Sequence, residues 1–568
     1  MHNCTDISDN SMTWKHSDPL LTPFRIKRLK FKNRIMSTSH ACGLGDENHM
    51  PGDAYQAYHV AKAKGGLALT MFGGSSYVSI DSRWSSGQLC LADDKVIPYL
   101  QKFSERIHNE DTALMVQITH LGRRAETNTQ AWVPTLAPSA VREQGHRSIP
   151  RQIEWHDIKR IIHDFGAAAL RCKKGGLDGL EVMTHGHLIG QFFSPITNKR
   201  VDEFGGNAEN RARFGLLVME EIRKKVGHDF VVGIRYAIDE GIQGGQSFDD
   251  CLRILKLFEE ERLIDFVNVN YGRLDTELAL VTDCMPGMQA RQSPWLDLAA
   301  AFKDEISVPV FHAAKINDIA TARHAIREGL LDMVAMTRAH IADPEIVNKI
   351  MRGDEDRIRP CVGAVHCMGI NRPSCLHNPE TGREFLLHNS HLKKSEIIKK
   401  IVVIGGGPAG LEAARISADR GHQVVLFEAT SRLGGQLCLA KKALWRRDIQ
   451  GIIDWREKEL DHLGVDCRLN TYAEVENILA EQPNVVIVAT GGIPDFGQIR
   501  EANLCLNPWD AMTSDAKLGD DVLVYDGTGR HVAPTAADFL KRQGKKIQYF
   551  SVDDVLAKEL SYGDRVIW

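Results

Sequence analysis

An α/β chain built as a (β/α)8 TIM barrel, a cysteine-rich loop and an incomplete Rossmann-like domain is predicted by three observations. Eight short β-rich runs alternate with amphipathic helical stretches ahead of residue 345, three cysteines crowd into fifteen residues behind them, and strand, glycine turn and helix follow one another from Ile401. At 568 residues the chain has room for about three to four domains. Lys plus Arg (70) and Asp plus Glu (74) leave a net charge of −4, so no net positive field holds nucleic acid or an anionic membrane. The 43% hydrophobic and 25% charged content is that of ordinary globular domains. Apolar stretches such as Ile401 to Ile404 and Val485 to Ala489 fall far short of the roughly 20 residues that span a bilayer. Residues 1–19 carry no apolar signal core, which predicts a reducing, cytoplasmic address.

The barrel is expected over residues 1–358. Its strands are Arg34 to Thr38, Leu67 to Phe72, Ala113 to Ile118, Asp178 to Met183, Phe230 to Arg235, Ile264 to Val269, Val308 to His312 and Leu331 to Met336. Between them lie helical periods; Ile158, Ile161, Ile162, Phe165 and Ala169 recur at spacings of three and four and share one face. In this fold chemistry sits at the C-terminal ends of strands. Those ends carry Ser37, Thr38, Ser39 and His40 on the first strand, Gln117 and His120 on the third, His185 and His187 on the fourth, Arg235 on the fifth and Arg338 on the eighth. A planar anionic cofactor would use Gln117 as a two-way amide, Arg235 for negative charge on a reduced ring and Arg338 for a phosphate.

Asn33-Arg34, Gln117-Ile-Thr-His-Leu-Gly-Arg123, Ala137-Pro-Ser-Ala140, Gln191-Phe-Phe-Ser-Pro195 with Asn198, Asp202 through Phe214, and Arg338-Ala-His-Ile-Ala-Asp-Pro344 together resemble the old yellow enzyme class of FMN barrels. With a Cys cluster and a dinucleotide domain behind the barrel, the chain is similar to the multidomain branch containing trimethylamine dehydrogenase and 2,4-dienoyl-CoA reductase. The resemblance implies FMN held by Ser37, Gln117, Arg235 and Arg338, with Ala314 and Lys315 near its phosphate.

Departures from the family pattern narrow the substrate. His187 stands where the reductases place a proton-donating Tyr, and imidazole titrates near 6.5 against about 10 for a phenol. Ala41 stands where trimethylamine dehydrogenase links its flavin to a Cys, with Cys42 one position off, which implies a non-covalent flavin. Of that enzyme's three aromatic cage residues only Tyr77 aligns. His185-Gly-His-Leu-Ile-Gly-Gln-Phe192, Arg359-Pro-Cys361-Val-Gly-Ala364 and Cys375-Leu-His-Asn-Pro379 look most like amine N-demethylases acting on N-methylated amino acids such as N-methylproline. The implied chemistry is hydride transfer from an N-methyl carbon to flavin N5, leaving an iminium that water hydrolyses to formaldehyde. Hydride loss needs the amine lone pair, so a base or an apolar pocket must favour the neutral amine. His185, His187 and His120 are the candidates, with Tyr77 beside them.

Residues 359–383 form the cysteine-rich loop. Cys361, Cys367 and Cys375, bracketed by prolines, favour zinc or an iron–sulfur cluster. The family pattern has four Cys around a [4Fe-4S] centre and here the second is Ala364, so His366, His377, a distal residue or an exogenous ligand would complete the shell; otherwise the site could hold a three-iron cluster or nothing. Such a centre would pass flavin electrons singly to an electron-transfer flavoprotein or other carrier. Cys4, Cys90, Cys172, Cys251, Cys284, Cys438, Cys467 and Cys505 read as free or buried thiols.

Residues 384–400, with Lys393, Lys394, Lys399 and Lys400, read as a solvated linker. A Rossmann-like domain is expected over 401–510. Gly405 allows the tight turn, Gly407 lets backbone approach a pyrophosphate and Gly410 permits close helix packing. Glu428 lies 23 residues past Gly405, in place for a ribose hydroxyl. With Arg432-Leu-Gly-Gly435 and Ala489-Thr-Gly-Gly492 the set resembles the two-dinucleotide-binding flavoproteins and implies FAD or ADP. A poorer repeat over 511–568, with Asp521 to Tyr525, Gly527-Thr-Gly529, a helix over Thr535 to Arg542 and strand Lys546 to Ser551, matches part of that family's NAD(P)-binding half. The C-terminus looks truncated against the family, with sheet edges left uncovered.

The expected function is FMN-dependent oxidative N-demethylation of a methylated amine or amino acid, in a homo-oligomer. The alternatives are an NAD(P)H-dependent ene or 2,4-dienoyl-CoA-type reductase and a truncated, non-catalytic binding remnant.

Overall fold

The computed structural model describes residues 18–568 except 84–87, 127–132, 369–371, 388–392, 497–498 and 514–515. Eight parallel strands close into a barrel: β1 (Ile35–Ser37), β2 (Leu69–Tyr77), β3 (Ala113–Thr119), β4 (Gly179–Met183), β5 (Val231–Ala237), β6 (Phe266–Asn270), β7 (Val310–His312) and β8 (Met333–Ala335). Each overlaps the run expected from sequence, and the strands pair in chain order all the way round, β8 returning to β1.

The two-residue period of a strand decides what faces where. In β3, Ala113 and Met115 join the inner core while Leu114, Val116 and Ile118 join the outer layer. Inward parity then reaches Gln117 at the top of β3, Glu181 above Gly179, Arg235 above Val231 and Gly233, and Asn268 above Phe266. The barrel floor is apolar: Met36, Leu69, Met71, Met115, Val231, Phe266, Phe311 and Met333. Phe266 stacks on Phe311 with centroids 4.8 Å apart. Gly233 makes room for that ring, because a Cβ there would stand 2.4 Å from Phe266. A hairpin of Phe24–Ile26 and Leu29–Phe31 adds Ile26 and Phe31 to the same core and seals this end.

Outside run α1 (Asp53–Lys64), α2 (Val96–His108), α3 (Trp155–Lys174), a short α4 (Leu188–Phe193), α5 (Ala208–Val226), α6 (Phe248–Glu260), α7 (Leu296–Asp304), α8 (Ile319–Arg327) and α9 (Thr337–Ala342). In α3 the expected face is buried through Ile158, Ile161, Phe165 and Ala169, with Ile162 at its margin. The family strings serve as clamps. Arg211 donates to the Phe193 carbonyl at 2.6 Å, and Asn198 to the carbonyls of Phe192 (2.8 Å) and Phe204 (2.7 Å), fixing the end of α4.

Residues up to 361 with 366–385 make one compact unit, and 362–365 with 386–568 the other. In the second, β9 (Lys400–Ile404), β10 (Gln423–Phe427), β11 (Asp466–Arg468) and β12 (Val485–Val488) form a parallel sheet in the order β11-β10-β9-β12, with α10 (Pro408–Asp419) after β9. A separate parallel pair, β13 (Asp521–Asp526) and β14 (Lys546–Ser551), is joined by α11 (Val532–Arg542). Val486 and Val488 of β12 and Leu523 and Phe550 of the pair are exposed. The segment expected as a linker opens with one helical turn, Glu384–Leu387. Cys90, Cys172, Cys251, Cys284 and Cys438 are buried free thiols, Cys467 is half-buried and Cys505 exposed, while Cys4 lies outside the described residues. Among the described residues no helix is long and apolar enough to cross a membrane.

Candidate active site

A ring of polar side chains crosses the C-terminal mouth of the barrel, one strand handing to the next. Register sets Gln117 beside Glu181 and Arg235 beside Asn268. The Gln117 amide donates to Glu181 Oε1 at 2.7 Å, and its Oε1 accepts from the Ser75 backbone N–H at 2.9 Å. Asn268 Nδ2 donates to Glu181 Oε2 at 2.7 Å, and Asn268 Oδ1 accepts from the Arg235 guanidinium. Burial pushes the Glu181 carboxyl up, opposed by the Arg235 charge and the two amides. Burial lowers Arg235, and Glu181 offsets it.

Two buried atoms beside this ring have no hydrogen-bond partner among the described residues: Ser37 Oγ, at the end of β1, and Arg338 Nη1, in the first turn of α9. Such atoms are the ones a polar ligand satisfies. Ala314 and Lys315, after β7, both take left-handed backbone, with φ of 61° and 63°. The Lys315 ammonium donates to the Ala290 carbonyl at 2.5 Å and lies 3.4 Å from that of Met288. It ties two loops together, and the backbone of 314–315 is what the chain offers at that place.

The turn after β4 carries two histidines, one in contact with β3 and the other with the end of β6. His185 Nε2 donates to the Gly272 carbonyl at 2.8 Å, while its Nδ1 lies 3.4 Å from Asn270 Nδ2. His187 Nδ1 lies 2.8 Å from Thr119 Oγ1. Burial drives the His185 imidazole down to about 4 and His187 well below its ordinary value, so both rings are uncharged at neutral pH. An open cleft beside His185 is lined by Arg123, Gln191, Ser194, Glu240, Arg273 and Asp275. His120 and Tyr77 are engaged elsewhere. His120 Nε2 stands 3.2 Å from Asp81 Oδ1, which also holds Arg160. Tyr77 pairs with Cys90 and sets its ring 6.1 Å from His49.

Cys361, Cys367 and Cys375 are half-buried and lie within electrostatic reach of one another. Burial first, then the other two thiolates, pushes Cys367 up to about 12, against the pull of Arg338. The His377 N–H donates to Cys375 Sγ at 3.4 Å, and His377 Nδ1 lies 3.0 Å from the Pro360 carbonyl. Among the described residues no three His, Cys, Asp or Glu side chains converge tightly enough to hold a single metal ion. Three thiols are donors of the kind that ligate iron–sulfur centres, and Ala364 falls where the family resemblance expects a fourth.

In the second unit Gly405 has φ 103°, and a Cβ on Gly410 would stand 1.9 Å from the Gly405 carbonyl. A Cβ on Gly407, the residue capping α10, would meet nothing within 4 Å, which leaves open space at the helix N-terminus. Glu428 braces the turn, accepting from the Gly406 N–H at 2.7 Å and the Thr430 N–H at 2.8 Å. Arg432 is exposed nearby in sequence.

Sequence reasoning missed Glu181, Asn268, Asn270 and Arg124. The signal was present: strands covered on both faces carry polar residues only where something satisfies them, and Leu180-Glu181-Val182 and Val267-Asn268-Val269-Asn270 break otherwise apolar runs.

The NADH:flavin oxidoreductase / NADH oxidase family description matches residues 19–357, and that of pyridine nucleotide-disulphide oxidoreductases matches 399–495. A multifunctional alkene reductase/demethylase OYE of Caballeronia cordobensis is 51% identical over 98% of this chain and 82% of that protein. A protein named probable N-methylproline demethylase, from Rhizobium meliloti (strain 1021), is 44% identical over 96% of this chain and 80% of its own. The expected truncation draws no support from alignments that take in 98% of this chain. Among solved structures, 6-hydroxypseudooxynicotine amine oxidase from Pseudomonas geniculata N1 superposes with a TM-score of 0.88 at 25% identity, covering 97% of this chain and 85% of its own.

Proposed function

Because the chain belongs to the NADH:flavin oxidoreductase / NADH oxidase family and is a flavin-dependent oxidoreductase, we propose that it oxidatively demethylates an N-methylated amine or amino acid. The observation that carries this reading is the pair of buried, uncharged imidazoles, His185 and His187, at the barrel mouth where the reductases of the resemblance keep a phenol. A site that suppresses charge on its own histidines also disfavours an ammonium, and so keeps the amine lone pair available. Loss of hydride from the N-methyl carbon leaves an iminium, which water hydrolyses to formaldehyde and the demethylated amine.

FMN, when bound, supplies the two-electron acceptor. Ser37, Gln117, Arg235, Ala314, Lys315 and Arg338 would hold it; the unsatisfied Ser37 Oγ and Arg338 Nη1 support the fit. Arg235, anchored by Asn268 and balanced by Glu181, would face negative charge. His185 and His187 keep the reacting layer, while His120 and Tyr77 hold supporting positions. Cys361, Cys367 and Cys375 would ligate an iron–sulfur centre, which would supply a one-electron exit toward a carrier protein. Gly405, Gly407, Gly410, Glu428 and Arg432 would hold FAD or ADP.

Anaerobic mixing with N-methylproline or N,N-dimethylglycine is expected to bleach the flavin visible band and release formaldehyde. A panel of methylated amines that leaves the band unchanged would defeat the reading. Iron and acid-labile sulfide analysis tests the electron exit, with fewer than about two irons per chain removing the cluster. The reductase reading is favoured by one observation, the alkene reductase activity named for the Caballeronia relative. NADPH oxidation stimulated by an enone but by no amine would reverse the ranking.

A further inference from the structure

Arg124 closes the 3-10 turn Gly122–Arg124 that follows β3, and its side chain is a buried cation whose Nε and Nη1 find no acceptor among the described residues. The residue is 8% exposed, and its Nε and Nη1 are buried and make no hydrogen bond. The acids nearest it, Glu143 and Asp275, balance part of its charge but accept no hydrogen bond from its Nε or Nη1. Asp275 takes Arg123 and Arg273, each at 3.3 Å, and the fully buried Glu143 accepts from the His146 backbone N–H. Arg235, by contrast, has Asn268 and Glu181.

Its chain neighbour Arg123 lines the cleft beside His185, and the charge of Arg124 acts on His187, His185 and Cys284, so its guanidinium lies near the turn after β4. β3 lies four strands round the barrel from β7, so the turn that carries Arg124 starts on the far side of the barrel from the strand before Lys315. The phosphate expected near β7 and β8 is therefore not its partner. Buried guanidinium N–H groups left without acceptors carry a desolvation cost, and a ligand that brings those acceptors recovers it on binding. The planar fork of Arg fits the two oxygens of a carboxylate.

Resting on the demethylation reading, we propose that Arg124 anchors the carboxylate of the substrate, which makes the substrate class N-methylated amino acids rather than simple amines. The anchor sets which end of the molecule is held and leaves the amine for the histidine side of the mouth. The same positive charge disfavours protonation of a nearby amine, in keeping with the need for a free lone pair.

The test uses the full-length, FMN-loaded protein and its Arg124→Gln and Arg124→Lys variants. Pyrrole-2-carboxylate, a planar carboxylate with no N-methyl hydride to give, is titrated while the flavin spectrum is followed. Arg124→Gln is expected to weaken its binding by at least about 30-fold, with Arg124→Lys losing less because the charge remains. Equal binding by all three proteins overturns the proposal. If Arg124→Gln fails to retain flavin, Arg124→Lys against wild type carries the comparison, and the loss of the bidentate fork still weakens binding measurably.

In anaerobic reduction, wild type is expected to favour N-methylproline over N-methylpyrrolidine, a preference that collapses toward unity in Arg124→Gln. A preference unchanged by the substitution overturns the anchor. Arg124-dependent binding of pyrrole-2-carboxylate without reduction by any methylated amine supports the anchor and defeats the demethylation reading. Reduction by both amines with no dependence on Arg124 does the reverse.

Discussion

Glu181 holds three other groups in place: the amides of Gln117 and Asn268 donate to its two oxygens, and the Arg235 charge is balanced against it. Removing it strands a buried cation and two buried donors at once. Glu181→Ala is expected to cost roughly 3–5 kcal/mol and to lower flavin content, measured by thermal unfolding and released FMN, with Glu181→Gln milder. The buried histidines make a second prediction at this scale. Burial holds His185, His312 and His340 down to about 4, and burial with the neighbouring Lys62 charge holds His40 down to about 3. Between those values and the ordinary 6.5 the unfolded chain binds protons that the folded chain refuses, so stability is full above about 6.5 and falls as pH drops. The melting temperature should decline steadily from pH 7 to 4.5; a flat profile would contradict the buried, neutral assignment.

The end of β2 shows how an element, rather than a residue, shapes the site. Its pairing with β3 shifts register between Phe72 and Ser76, and the irregularity turns the Ser75 N–H, at φ 67°, toward Gln117. Gly74 lets this bend press on the end of β1: a Cβ there would stand 2.1 Å from the Ala41 nitrogen and 2.2 Å from the His40 carbonyl carbon. Gly74→Ala is expected to destabilise by roughly 1–3 kcal/mol and to reduce flavin retention, read by the same two measurements. The eight strands and the inward-facing Gln117 were legible because each follows from a local period or a strand end. Glu181 and Asn268 were not, because their meaning lies in register between strands, which no single run encodes. Arg124 was hidden by the string around it, where the adjacent Arg123 belongs to the family motif and its neighbour reads as one more surface charge. His120 and Tyr77 sit at strand ends as Gln117 and Arg235 do, and only their partners, Asp81 and Cys90, set them apart.

At the scale of the molecule, two units with separate cores divide the chain. Each core should melt in its own transition. FMN at about 100 times its dissociation constant should raise the barrel transition by about 2.7 kcal/mol and leave the other unmoved, with ADP acting on the second unit alone; calorimetry with each ligand reads this directly. A single transition shifted equally by both would contradict independent cores. The hairpin that seals the barrel floor has a kinetic consequence. With one end stoppered by Ile26 and Phe31 and packed through to Phe266 and Phe311, traffic to the polar ring is left to the opposite mouth. Under the proposed demethylation a spent amine leaves before any small oxidant enters by the same mouth, so turnover with such an oxidant should take the alternating, parallel-line form of a two-stroke cycle.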